Sequence, residues 1–236
     1  MMRSLYTAST GMYAQQLNVD TIAHNMSNVN TTGFKKQRVE FQDLLYQTIR
    51  RPSVGSETTD PVGMQIGLGV KPTAINTLFT EGSLQQTENP LDVAINGQGF
   101  FKVQVPGHDD PLYTRDGSFK LDDSGQIVTS DGYPVVGLDA LDEGAYDISI
   151  EKDGTVTYKL PDGSDGEAGQ IELAKFVNPA GLQKLGQNLY QATANSGEPV
   201  DWDPESDNTT SLESCYLEMS NIQVVEEMVN LISAQR

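Results

Sequence analysis

Residues 4–33 read SLYTASTGMYAQQLNVDTIAHNMSNVNTTG, and every third and fourth position along them gives Leu5, Ala8, Met12, Gln15, Val19, Ile22, Met26 and Val29. All but Gln15 are apolar, which is the 3-4 spacing of a single narrow helix face. No Pro interrupts the run, Gly11 is its one interior glycine, and Gly33 stands where a terminator belongs. A helix is therefore predicted over about 4–31. Its flanking positions (Ser9, Thr10, Gln16, Asn18, Asn25, Asn28) are polar and neutral, so the apolar seam suits contact with another helix. A lone helix of this kind is marginal in water without tertiary packing.

The far end offers a partner. From Ser211 the chain reads SLESCYLEMSNIQVVEEMVNLISAQR without Gly or Pro, and Ile222, Val225, Val229 and Ile232 repeat the 3-4 spacing. A second helix is predicted from about 211. The apolar pattern reaches Arg236 without cap or taper, so the expectation is that the sequence stops inside that helix. The two terminal helices are expected to pair as a coiled coil in an assembly.

Between the ends the pattern is β. Five Asp-Gly pairs (at 116, 131, 153, 162 and 165) punctuate short β-rich runs, as tight hairpins require. The runs are Leu91–Ile95, Phe100–Val105, Ser118–Leu121, Ile127–Thr129, Tyr146–Ile150, Val156–Lys159 and Ile171–Phe176. Their spacing suits a meander, sandwich or barrel. Residues 50–72 hold three Pro and four Gly among few large side chains, which reads as an extended connector or an ordered arm. The expected fold is mainly β with terminal helices. It divides into an N-terminal helix (1–33), a connector with short strands (34–80), a β-rich domain (81–210) and a C-terminal helix (211–236).

Charge follows the same division. The whole chain carries 33 acidic and 15 basic groups, a net of −18. Residues 1–51 hold six basic and three acidic groups, a net of +3, which leaves nine basic and thirty acidic groups, or −21, for residues 52–236. So acidic a surface argues against nucleic acid as a partner, because a phosphate backbone is bound by neutralising it. No run approaches the roughly 18 apolar residues of a membrane span, so no membrane insertion is expected. The first residues also lack the apolar core of a cleavable signal peptide.

Candidate chemistry is sparse. One Cys and two His cannot supply a common Cys/His zinc site. Asn96-Gly97-Gln98-Gly99-Phe100 begins like a dinucleotide loop, but Lys102 replaces the third Gly and β runs follow, so it reads as a turn. Asp201, Asp203, Glu205 and Asp207 alternate like a calcium loop, yet Ser206 and Leu212 stand where Gly and Glu are most needed. His24 and His108 have no nucleophile near them in sequence, and Cys215 reads as a packing residue of the C-terminal helix. No catalytic constellation, cofactor or metal site is expected.

Several segments together resemble the bacterial flagellar rod and hook family. The first is Ile22-Ala23-His24-Asn25-Met26-Ser27-Asn28-Val29-Asn30-Thr31-Thr32-Gly33-Phe34-Lys35. Further along come Leu91-Asp92-Val93-Ala94-Ile95 with Gly97-Gln98-Gly99-Phe100-Phe101, then Tyr113-Thr114-Arg115-Asp116-Gly117-Ser118-Phe119, and finally Ser220-Asn221-Ile222 through Arg236. Leu44–Arg50 with Gln65–Val70 resembles a stretch that distal rod subunits carry and hook subunits lack. The family's C-terminal helix continues past Ala234-Gln235-Arg236, and residues 139–169 follow its pattern only loosely.

The resemblance implies a structural subunit, not an enzyme, that self-assembles into the distal rod, the drive shaft carrying torque from motor to hook. It implies assembly contacts at Leu5, Met12, Val19, Ile22, Met26 and Val29, with Ile222, Val225, Val229 and Ile232 opposite. A rod-specific connector would use Tyr46, Ile49, Gln65, Ile66 and Val70. Implied partners are further copies of the chain, proximal rod subunits, hook-side subunits and the surrounding periplasmic and outer-membrane ring proteins. The implied location is the basal body, in the rod that spans the periplasm, reached by type III export. The competing readings are a proximal rod subunit and, from another class, a calcium-dependent or carbohydrate-active β-domain protein.

Overall fold

The computed structural model describes residues 2–51, 53–54, 59–60, 62–108, 110–142, 144–204 and 209–235. Two compact units emerge from it. A helical unit takes residues 1–27, 37–78 and 223–236, and a β unit takes 28–36 and 79–222.

The helical unit begins with α1 (Met2–Ser27). After the excursion through 28–36 the chain forms β1 (Gln37–Asp43), β2 (Tyr46–Arg50), β3 (Ser53–Val54), β4 (Thr59–Asp60), β5 (Met64–Gly67) and β6 (Val70–Thr77). These pair as nested antiparallel ladders: β1 with β6, β2 with β5, β3 with β4. The expected connector is thus a ribbon of paired strands, each half supplying the other's hydrogen bonds. α1 packs on β1 and β6, with Ala14, Ile22 and Val39 buried. Every residue of β2 is exposed, as are Met64, Gln65 and Ile66 of β5.

Gly69 shows how tightly the ribbon's base lies on the helix. Its φ is +123°, a Cβ there would run into the Thr10 hydroxyl, and its carbonyl accepts from Leu44 N–H at 2.9 Å. Gly69→Val is expected to cost the helical unit about 1–3 kcal/mol, as backbone strain of this kind does. Faster amide exchange in β1 and β6 would show it; unchanged exchange there would count against this packing.

The second helix, α2, spans Val224–Gln235, which is shorter than the predicted 211–236. Residues 211–214 and 216–218 are strands instead, because Leu212 is wanted in the β unit's core and the run pairs edge to edge with earlier strands. Cys215, expected on a helix, separates those strands at φ +63°. Likewise α1 stops at Ser27, short of Gly33. That glycine's φ of +66° serves a close passage, since a Cβ would sit 2.8 Å from the Arg115 carbonyl carbon.

Within the β unit, β7 (Leu84–Gln86), β8 (Val93–Asn96), β9 (Phe100–Val103), β10 (Leu112–Thr114), β11 (Lys120–Leu121) and β12 (Ile127–Val128) come first. Then follow β13 (Tyr146–Ile150), β14 (Thr155–Lys159), β15 (Asp165–Gln170), β16 (Leu173–Lys175), β17 (Gln183–Gly186), β18 (Leu189–Gln191), β19 (Val200–Asp201), β20 (Ser211–Ser214) and β21 (Tyr216–Glu218). The largest sheet has the order β17-β18-β10-β9-β16-β19, and β13-β14-β15 form a second. Alternation along the large sheet explains its doublets. Phe101, Leu112, Leu173 and Leu189 face the main core, while Phe100, Tyr113, Ala174 and Tyr190 face a smaller aromatic one. Phe101 meets Phe119 at 5.0 Å and Tyr113 meets Phe176 at 4.8 Å, both edge to face.

The Asp-Gly pairs divide by function. Those at 131, 153 and 162 close tight turns, whereas Asp116-Gly117 lies in a loop and Asp165-Gly166 lies inside β15. At Gly166 the flat strand surface accommodates the Tyr158 ring, which leaves no room for a Cβ. The domain division predicted from sequence accordingly shifts: 28–36 and 211–222 belong to the β unit, and the connector belongs with the helices.

Candidate assembly surfaces and the buried charge cluster

α2 runs back along α1. Glu227, one turn into α2, reaches Asn25 near the end of α1, Asn25 Nδ2 donating to Glu227 Oε2 at 3.3 Å. The buried residues of α1 are Ala14, Thr21, Ile22 and Asn25, and that of α2 is Glu227. This is a face of small and polar side chains, which allows close approach. The apolar seam read from sequence is largely the other face. Leu5 and Met12 are 66% and 68% exposed, Val225 and Ile232 are 71% and 63% exposed, and Val229 is exposed as well. Val19 and Met26 are half-buried, and Ile22 is fully buried. Val29 and Ile222 lie in the β unit, half-buried and buried. Within the helical unit, then, the seam is buried only at Ile22, and its outer positions are left exposed.

Tyr6, Tyr13 and Val224 extend these outward apolar faces. On the ribbon, Tyr46, Ile49 and Ile66 are exposed, Gln65 donates to Thr48 Oγ1 at 3.4 Å, and Val70 pairs with Asp43. The Tyr46 ring lies across Gly67, opposite it in the ladder. A two-stranded ribbon bearing this much bare apolar surface is marginally stable alone in water.

Sequence reasoning missed a buried ion cluster in the β unit. Lys35 is 0% exposed, and its Nζ meets Glu218 Oε1 at 2.5 Å and donates to Thr80 O at 2.8 Å. Arg115 Nε meets Glu218 Oε2 at 3.1 Å, and its Nη1 donates to Gly97 O and Gly99 O at 3.0 and 2.8 Å. Glu218 Oε1 also accepts from Gly82 N–H at 2.9 Å, and the Glu218 carbonyl accepts from Gly33 N–H at 2.8 Å. One carboxylate thus ties together four chain passes. Burial pulls both Lys35 and Arg115 below their ordinary values, with Glu218 opposing in each case. The Gly97–Gly99 loop acts here as a carbonyl cradle for an arginine, consistent with a turn. A Lys, an Arg and a Glu some 80 to 183 positions apart carry no sequence signal of their pairing.

A second cation has a distinct environment. Lys184 Nζ lies 5.5 Å from the centre of the Phe34 ring and 5.9 Å from that of Tyr190. Desolvation of Nζ beside these rings pulls it down to about 8, although the residue as a whole is solvent-exposed and the ring faces favour the cation. Burial also pushes Tyr190 up to about 12. A lysine whose folded value lies below its unfolded 10.5 makes the β unit gain stability as pH rises from about 8 to 10.5. Lys184→Met is expected to flatten that rise. In the wild type, Lys184 is expected to acylate first among the lysines at pH 8, as peptide mapping would show.

Among the described residues, no group of three or more His, Cys, Asp or Glu is placed to hold a metal. Asp201 pairs instead with Lys102 at 2.6 Å, while Glu205 and Asp207 lie outside the described residues. No helix among the described residues is long and apolar enough to cross a membrane.

Three family descriptions match in chain order: "Flagella basal body rod protein" over residues 5–35, "Flagellar hook protein FlgE/F/G D1 domain" over 94–158, and "Flagellar basal body rod FlgEFG protein C-terminal" over 213–236. The flagellar basal-body rod protein FlgG of Borreliella burgdorferi is 47% identical over 100% of this chain and 91% of its own length. FlgG of Buchnera aphidicola subsp. Schizaphis graminum is 44% identical over 100% and 92%, and FlgG of Bacillus subtilis 39% over 100% and 91%. Among solved structures, the hook protein FlgE2 of Helicobacter pylori aligns over 78% of this chain and 43% of its own at 14% identity, with a TM-score of 0.28. With relatives matched over its full length at these identities, the chain belongs to the FlgG family of flagellar basal-body rod proteins.

Proposed function

We propose that the protein is a structural subunit that polymerises into the distal rod of the bacterial flagellar basal body. The observation that carries this reading is the outward apolar face on each terminal helix: Leu5 and Met12 on α1, Val225, Val229 and Ile232 on α2. Burying one large apolar side chain is worth about 1.5–3 kcal/mol. Several per subunit, repeated across a heterologous interface that does not close, build a filament. The remaining seam positions, Val19, Ile22, Met26, Val29 and Ile222, would hold the helices and their roots in place behind that face.

The ribbon residues Tyr46, Ile49, Gln65, Ile66 and Val70 would brace neighbouring copies and stiffen the shaft that transmits torque to the hook. Proximal rod subunits below, hook-side subunits above and the ring proteins around the rod are the proposed neighbours. Type III export to the periplasm is the proposed route. Purified protein at high concentration is expected to form straight rods in negative stain. A chain that stays monomeric at every concentration reached would overturn the reading.

A further inference from the structure

Lys184 stands on β17, the outer strand of the large sheet, directly opposite Tyr190 in the ladder with β18. Edge lysines commonly reach into water and keep other strands from adding to the sheet. This one lies back along the protein instead. Its Nζ sits over two rings, 5.5 Å from the centre of Phe34 and 5.9 Å from that of Tyr190. All three residues belong to the β unit. The Tyr190 ring is itself packed against Phe79 and Phe100, each with its centre 5.7 Å away, so this wall of the seat is fixed.

Other cations of the unit are held by carboxylates. Lys35 and Arg115 share Glu218, Lys102 bridges Glu172 and Asp201, Lys152 meets Glu213, and Lys159 meets Asp147. Among the described residues, no carboxylate pairs with Lys184 and no acceptor takes a hydrogen bond from it. A bare ammonium gives up strongly held water to enter such a place and gains no hydrogen bond in return. Each N-methyl group removes one N–H and weakens hydration, while the attraction of the ring faces for the cation is kept. Aromatic seats recognise quaternary ammonium groups for that reason. An acyl group would suit the apolar walls but would forfeit the charge that the rings favour.

We propose that Lys184 is a modification site, whose nitrogen carries two or three methyl groups held against Phe34 and Tyr190. In each transfer the lone pair of the neutral amine attacks a methyl carbon of a sulfonium donor bound to a methyltransferase. The carbon–sulfur bond breaks, a thioether leaves, and the amine's proton passes to solvent. Desolvation holds Lys184 at about 8, so an appreciable share of these nitrogens has its lone pair free at physiological pH. Access is from the outer edge of the strand, where Gln183, Leu185 and Gly186 are exposed and an enzyme can pair with the extended backbone. The seat lies wholly in the β unit and does not depend on polymerisation.

Two measurements test this. Peptides holding Lys184, from the chain isolated from its own cells, are weighed at an accuracy that separates trimethylation from acetylation, and di- or trimethylated Lys184 is expected. In parallel, the purified chain is dimethylated at its lysines with formaldehyde and a borane, and unfolding of the β unit is followed through Trp202. Methylation is expected to raise the midpoint by at least about 2 °C more in wild type than in Lys184→Gln. Phe34→Leu, which keeps the lysine and removes one ring, is expected to lose about half of that gain. Acetylating the same protein should give none of it. An unmodified or acetylated Lys184 in the native chain would overturn the proposal. So would equal shifts in wild type and Lys184→Gln, which would mean that the rings do not hold the methyl groups.

Discussion

Glu218→Ala is expected to cost the β unit about 3–5 kcal/mol, because it leaves the Lys35 and Arg115 charges buried without their carboxylate. For a unit of this size that is roughly a 6–20 °C fall in melting temperature. Trp202, the single tryptophan, packs against the β unit's core and reports on that unit alone. Glu218→Gln keeps the shape and an acceptor for Gly82 N–H, so it is expected to lose less. Equal losses in the two variants would mean that charge alone matters, and a shift under about 2 °C for Glu218→Ala would mean that the cluster does not hold the unit closed. The same carboxylate joins segments from near both ends of the chain. Residues 28–36 and 211–222 are thus integral to the β unit, which residues 81–210 alone would leave with the Arg115 cation unpaired and unpaired edges on β7 and β8.

Met12→Asp is expected to raise the concentration needed for rod growth about tenfold to a hundredfold, the equivalent of losing one buried large apolar side chain from each interface. Its side chain is mostly exposed in the single chain, so neither α1 nor the β unit should lose stability. Ile22→Asp separates the two roles of the same helix. Ile22 is buried, so that variant should loosen α1 and raise its amide exchange as well as block growth. Sedimentation of rods with parallel exchange measurements would test both. Rods from Met12→Asp at the wild-type threshold would remove α1's outward face from the interface.

Much of the architecture was legible because it is local. The 3-4 spacing marked α1 and α2, and turn chemistry with β-branched and aromatic runs marked β9, β13 and β14 within a residue or two. What misled was also local. Residues 211–218 have a helix-compatible composition, but the pairing of Leu212 with Ile95 and the buried Glu218 won over propensity. The connector reads as extended or as an ordered arm with short strands, and only its strand partners are hidden, because nothing in it announces that Gln37 will pair with Thr77.

The apolar seam and the family signature were present in the residues by themselves, since periodicity needs only neighbours along the chain. Which face of each helix turns inward was decided by tertiary structure. Asn25, Thr21 and Ala14 face the chain's own elements because an amide matched to Gln37 and Glu227 binds more specifically than another aliphatic contact, leaving Leu5, Met12, Val225 and Ile232 outside. The charge cluster and the Asn25 hydrogen bonds were decided in the same way. Their partners lie 12 to 202 positions apart, and only the folded chain brings such groups within hydrogen-bond reach, where low dielectric makes each pairing decisive.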